Sequence, residues 1–176
     1  RFVDQELELG RQAYVVFPLV DESDKVDLLS ATQEHDRLAR EVFPHRRLGL
    51  VHGQLGSEEK EQVMRDFLAG EIDLLVATTV IEVGIDVANA TVMVVEHAER
   101  FGLSQLHQLR GRVGRGAVES HCVLIAEAGE VAQERLRVFS DTTDGFAIAR
   151  ADLAIRGQGD LFGALQSGRD PVLRHA

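Results

Sequence analysis

With 176 residues and 44% hydrophobic content, the chain has the size and apolar content of one packed domain plus a small appendage, not of a disordered tail. A formal net charge of −10 excludes nucleic-acid binding by bulk charge, so any such binding must be local or shared with another part of the protein. The single cysteine, Cys122, excludes an internal disulfide and fits a reducing compartment, and no apolar run reaches the length of a membrane span.

Taken in chain order, the sequence alternates strand and helix signals. Residues 2–10 read as the end of a helix, with Phe2, Val3, Leu7 and Leu9 among acids and Gly10 as the stop. Residues 13–20 form a nearly continuous apolar run, the mark of a strand buried on both faces. A polar turn at 21–24 leads into an amphipathic helix over 25–43, which Pro44 ends. Residues 48–52 predict a second strand. A third helix then starts with Ser57 as N-cap, Glu58 and Glu59 in its first turn, and a buried stripe of Val63, Met64, Phe67 and Leu68. Strands follow at 72–77, 90–95 and 121–125. After Ala126 the alternation ends, and 131–139 and 146–155 predict a pair of helices followed by a glycine-rich tail. The expected fold is α/β: a three-layer parallel sheet with helices on both faces over 1–126, then a helical hairpin and tail over 127–176. Ligands of such sheets gather at the carboxyl ends of the strands. That rule points to 18–21, 52–54, 78–86 and 96–100.

Two stretches carry chemistry. At 77–86 the order is A-T-T-x-x-x-x-G-x-D. Thr78 and Thr79 leave a buried strand at its carboxyl end, where hydroxyls and backbone N–H groups suit phosphate oxygens. Gly84 permits a tight turn, and Asp86 can accept from ribose hydroxyls; the bland alternative is a Thr-rich turn with Asp86 capping a helix. At 108–115 the order is Q-x-x-G-R-x-x-R. Inside a plain helix each glycine would cost about 1 kcal/mol against alanine, so Gly111 and Gly114 call for close backbone approach. Arg112 and Arg115, three apart, repel unless an anion lies between them. Phosphate suits, because the guanidinium is a planar fork of donors that keeps its charge. The histidines and Cys122 show no zinc spacing, and no nucleophile elbow is present.

Together the two stretches resemble motifs V and VI of superfamily two helicases, and His52-Gly53 after its strand resembles motif IVa. The likeness spans about 11–125, the second of two RecA-like motor domains. It narrows to the RecG family through G-I-D-V-A-N-A at 84–90, the run 99–116, and D-G-F at 144–146. The block 152–163 with Q-S-G at 166–168 resembles the TRG translocation motif. One departure is Gln54, where the family often carries Arg, so that charge is missing from the DNA-facing turn.

The resemblance implies an ATP-dependent DNA helicase, a hydrolase working on branched DNA in fork regression, branch migration, repair and recombination. It places Arg115 as the arginine finger, Arg112 on the γ-phosphate, Gln108 near the nucleotide or its attacking water, and Asp86 with Gly84 at the ribose. His52, Gly53, Thr78 and Thr79 would touch the DNA backbone. His107, Arg156 and Gln166 would couple the motor to the hairpin; for His107 an ordinary surface imidazole, and for Arg156 a salt bridge to Asp152 or Asp160, are the competing readings. ATP and Mg2+ are the implied cofactors. The implied partners are branched DNA and an N-terminal wedge and first motor domain of the same protein, which would act as a monomer in the cytoplasm with no membrane contact. The rivals are the transcription-repair coupling factor, which shares the TRG block, and a non-catalytic motor-like interaction domain. The chain opens on Arg1, not Met, and reads as cut from something longer. It holds neither a G-x-x-x-x-G-K-[ST] phosphate loop nor a Walker B acid run, so it is expected to be inactive alone.

Overall fold

The computed structural model describes residues 1–18, 24–78, 87–127 and 129–154. They fall into two compact units: Arg1–Phe101 with Gln108–Glu127, and Gly102–His107 with Ala128–Ala176.

The first unit is built on five parallel strands: β1 (Gln12–Phe17), β2 (Leu48–Val51), β3 (Leu74–Thr78), β4 (Ala90–Val95) and β5 (His121–Leu124). Their order is β2-β3-β1-β4-β5, the RecA-like arrangement. β1, β3 and β4 are central and nearly wholly buried, which is why their sequences are unbroken apolar runs and not alternating ones.

Both sheet faces are covered. On one, Ala13, Val15, Leu74, Val76, Val92 and Val94 pack with Leu7 of α1 (Phe2–Glu8) and with Leu38 and Phe43. On the other, Tyr14 meets Phe67 of α3 (Ser57–Leu68) edge to face at 5.0 Å.

The local signals hold with three adjustments. The helix expected over 25–43 is α2 (Asp24–Arg37) continued by one π-helical turn (Leu38–Val42), closed by the Phe43 N–H donating to the Leu38 carbonyl at 2.7 Å. The wider turn lets Leu38 and Phe43 both reach the core. α3 is capped by Gly56, not Ser57. The Glu59 carboxylate reaches back to accept the Gly56 N–H at 3.0 Å, so Ser57 becomes the first helical residue. β3 starts at Leu74 and β1 stops at Phe17, before Pro18, which has no N–H for a ladder.

The second unit contains α5 (Glu130–Asp141) and a helical stretch over 145–154, here α6. Asp144 caps α6, its carboxylate accepting the Phe146 N–H at 2.9 Å, and Thr142 Oγ1 accepts the Asp144 N–H at 3.1 Å. Phe139 and Ile148 are buried, whereas Phe146 and Leu153 face outward. No helix among the described residues is long and apolar enough to cross a membrane.

Candidate nucleotide and nucleic-acid sites

At the carboxyl edge of the sheet a cleft of about 390 Å³ opens. Phe17 at the end of β1 with Pro18 after it, Thr78 at the end of β3, and Glu96, His97 and Arg100 after β4 form one side; Ser30, Glu34 and Arg37 of α2 form the other. Three of the four stretches singled out by the carboxyl-edge rule contribute.

Thr78 is 2% exposed, and its Oγ1 has no hydrogen-bond partner among the described residues. His52 follows Val51, which pairs with Ala77, so the parallel register sets His52 beside Thr78 on the same face. His52 is 8% exposed, and its Nδ1 is likewise without a partner among the described residues. Burial, with the Lys60 ammonium second, pushes the His52 imidazole below its ordinary 6.5, so the ring is neutral at pH 7. Lys60 donates to the Gly53 carbonyl at 2.9 Å and the Leu55 N–H to the His52 carbonyl at 3.3 Å, which fixes the turn from β2 into α3. Two buried polar atoms without a partner among the described residues, at the ends of neighbouring strands, are costly unless something else supplies the partner.

The cleft is mixed in charge. Arg37 pairs with Glu34 at 2.8 Å. Burial raises the Glu96 carboxyl above its ordinary range, with His97 and Arg37 working the other way. Arg100 is exposed, and among the described residues its guanidinium has no partner.

The arginine pair lies at the opposite edge. α4 (Leu103–Arg110) ends before Gly111, and the loop 111–120 leads into the amino end of β5. Arg112 and Arg115 therefore do not share a helix face; they stand on a curled loop. Gly114 takes φ +80°, a left-handed turn that a side chain resists. Arg115 Nε donates to the Gly111 carbonyl at 2.9 Å. Arg112 is half-buried, and its guanidinium pairs with no carboxylate among the described residues; Arg115 and Gln108 are exposed. The close approach predicted at Gly114 is made to Ser120, whose Oγ would stand 2.5 Å from a Cβ there, and Gly116 makes a second one: a Cβ at 116 would stand 2.7 Å from the Ala88 carbonyl oxygen.

Thr79, Gly84 and Asp86 lie outside the described residues, as do Arg156 and Gln166. In the second unit the His107 ring lies against Gly145, where a Cβ would come within 3.0 Å of Nε2.

These sites can now be set beside known proteins. The sequence pattern of the helicase conserved C-terminal domain matches residues 1–117. The chain belongs to that helicase family. Among curated relatives of this helicase segment, the ATP-dependent DNA helicase RecG of Thermotoga maritima is 56% identical over 168 residues, covering 95% of this chain and 22% of the relative. RecG of Bacillus subtilis is 53% identical over 169 residues, again 95% of this chain, and 25% of that protein. The chain thus spans about a quarter or less of the length of these relatives. A solved RecG bound to a three-way DNA junction superposes with a TM-score of 0.75 at 53% identity, over 90% of this chain and 20% of that one. The yeast DEAD-box splicing factor Prp28 shares the fold alone, with a TM-score of 0.59 at 16% identity over 86% of this chain and 33% of its own. The expected likeness to the RecG family and the RecA-like fold are both borne out.

The donor set of this helicase domain fits one wall of an ATP site: Arg112 and Arg115 offer forked, permanently charged donors for triphosphate oxygens. Among the described residues no group of three His, Cys, Asp or Glu side chains converges that could hold a metal ion. Sequence reasoning passed over Glu34 and Arg37, because α2 meets the carboxyl edge only through tertiary packing. Asn89 and Gly116 were also missed; the glycine after Arg115 was the one available signal.

Proposed function

We propose that this chain is the second motor domain, 1–126, and TRG-type hairpin, 127–176, of a RecG-like ATP-dependent DNA helicase that drives fork regression and branch migration. The observation that carries this reading is the division of labour between the two sheet edges. Arg112 and Arg115 stand on the loop at the amino edge, and Thr78 Oγ1 and His52 Nδ1, buried and without a partner among the described residues, lie at the carboxyl edge.

At the carboxyl edge, the Thr78 hydroxyl and the neutral His52 ring, with the Gly53 turn, offer uncharged hydrogen bonds to a phosphodiester backbone. Such contacts read no sequence, which suits a motor that must walk on any sequence. They also free the domain from needing a basic surface, which its −10 charge denies it.

At the amino edge, Arg115 acts as the finger and Arg112 as the γ-phosphate partner of ATP gripped, with magnesium, by the first motor domain. ATP supplies the phosphoryl group, and what these residues contribute is fixed positive charge where transition-state charge spreads. A finger of this kind contributes on the order of 10³–10⁵ in rate. Gln108, exposed on the last turn of α4, would orient water beside them. His107, which lies against Gly145 within the second unit, would couple the motor to the hairpin, and Arg156 and Gln166 would hold the hairpin in register.

The test is Arg115→Ala in the full-length protein. DNA-stimulated ATP turnover should fall by about 10³ or more while junction binding is kept. A scaffold without catalysis would show no such loss, and turnover near wild type sinks the reading. The 176-residue chain alone should not turn over ATP, with or without branched DNA.

A further inference from the structure

A hydrogen-bonded assembly on the amino edge is used by neither site above. Residues 87–90 form a turn closed by the Ala90 N–H donating to the Val87 carbonyl at 3.0 Å. Its Asn89 is exposed, yet Nδ2 donates to the Gly10 carbonyl at 2.9 Å and to Gln12 Oε1 at 3.2 Å. The Gln12 N–H donates back to the Asn89 carbonyl at 3.0 Å. Gln12 is buried, and its Nε2 donates to the Phe67 carbonyl at 2.5 Å and the Ile72 carbonyl at 2.7 Å. The turn is therefore fixed to β1 and, through Gln12, to the end of α3 and the approach to β3.

Against this fixed turn lies Gly116. A Cβ at 116 would meet the Ala88 carbonyl oxygen at 2.7 Å and its carbon at 3.6 Å. The obstacle is backbone, so it cannot swing aside as a flexible side chain would. A larger residue must push either the loop or the turn away. Gly116 directly follows Arg115, and the loop behind it is already constrained by the left-handed Gly114 and by the Arg115-to-Gly111 hydrogen bond.

We infer that Asn89 and Gly116 are positioning residues for the arginine pair: the turn at 87–90 is the stop against which the loop 111–116 is set. This rests on the reading of Arg112 and Arg115 as facing the nucleotide. Neither Asn89 nor Gly116 touches the reacting atoms; both act through Arg115. A finger works only at the right place, and a misplacement of about 1 Å can cost roughly 10²-fold.

The experiment uses the full-length protein with Gly116→Ala, Asn89→Ala, Arg115→Ala, and each of the first two combined with Arg115→Ala. Gly116→Ala should lower kcat for DNA-stimulated ATP hydrolysis by about 10²-fold with KM for ATP, junction affinity and Tm near wild type. Asn89→Ala should do the same to a smaller extent. In the Arg115→Ala background both should cost nothing further, because the group they position is gone. A merely structural role would lower Tm or junction affinity and would add to Arg115→Ala. If Gly116→Ala does not fold, Asn89→Ala carries the test, since that side chain is exposed. If Arg115→Ala is itself harmless, the nucleotide-site reading fails. If Arg115→Ala is damaging but the other two leave kcat intact, or add to it, the positioning inference fails alone.

Discussion

Replacing Thr78 with valine should make the chain more stable and worse at holding DNA, an opposition that little but a ligand-facing hydroxyl produces. Thr78 ends β3, is 2% exposed, and its Oγ1 finds no hydrogen-bond partner among the described residues. A buried hydroxyl without a partner costs about 1–3 kcal/mol by protein mutational measures. Valine is close in shape and removes that cost, so a gain of about 1–2 kcal/mol is expected. For a chain of this length that is a rise in Tm of roughly 2–8 °C. On the DNA side, valine deletes a hydrogen bond to a charged phosphate, worth about 1.5–3 kcal/mol, or roughly 10–100-fold in Kd.

Thr78→Ser is the control with the opposite signature. It keeps the hydroxyl and loses a buried methyl, so stability should drop by about 1 kcal/mol while DNA affinity holds. Thermal unfolding of the chain and fluorescence anisotropy of the full-length protein on a labelled three-way junction give both readouts. The reasoning is refuted if valine lowers Tm, or if valine and serine bind the junction equally well.

Three further outcomes follow from the same structure. Gln12→Leu takes the donor from the Ile72 carbonyl, at about 1–3 kcal/mol, while the Phe67 carbonyl keeps the Gly70 N–H, and urea unfolding should show a loss of at least about 1 kcal/mol. Glu96→Gln should raise Tm at pH 7 and leave it unchanged at pH 4. Burial holds the Glu96 carboxyl above its ordinary 4.5, so the favourable protonated state is complete below that value and is lost as pH rises through the folded one. The same change removes a negative charge from the cleft and should tighten junction binding. His52 works in the other direction: its lowered value makes its contribution complete above 6.5 and lost as pH falls toward the folded value. The slope of Tm against pH just below 6.5 should therefore be shallower in His52→Gln than in the wild type.

The strands and most helices of the first unit could be read directly from residue order, because each rests on a local cause. β4 occupies 90–95 as its apolar run requires, α1 stops where Gly10 takes a positive φ, and Asp144 caps the helix after it. The chemistry of the arginine run was equally local, since two guanidiniums three apart between glycines suit an anion in any fold. Where those groups stand was not local. The strand order β2-β3-β1-β4-β5 sets His52 beside Thr78 although 26 positions separate their paired neighbours Val51 and Ala77. The same packing leaves Thr78 Oγ1 and His52 Nδ1 without a partner among the described residues. It also puts the arginine loop at the amino edge, away from the carboxyl-edge cleft, and it sets the Ala88 backbone against Gly116. Periodicity, capping and side-chain chemistry act over a few residues and are written in the sequence. Desolvation, register and backbone contact depend on what the rest of the chain brings alongside, and only the folded molecule decides that.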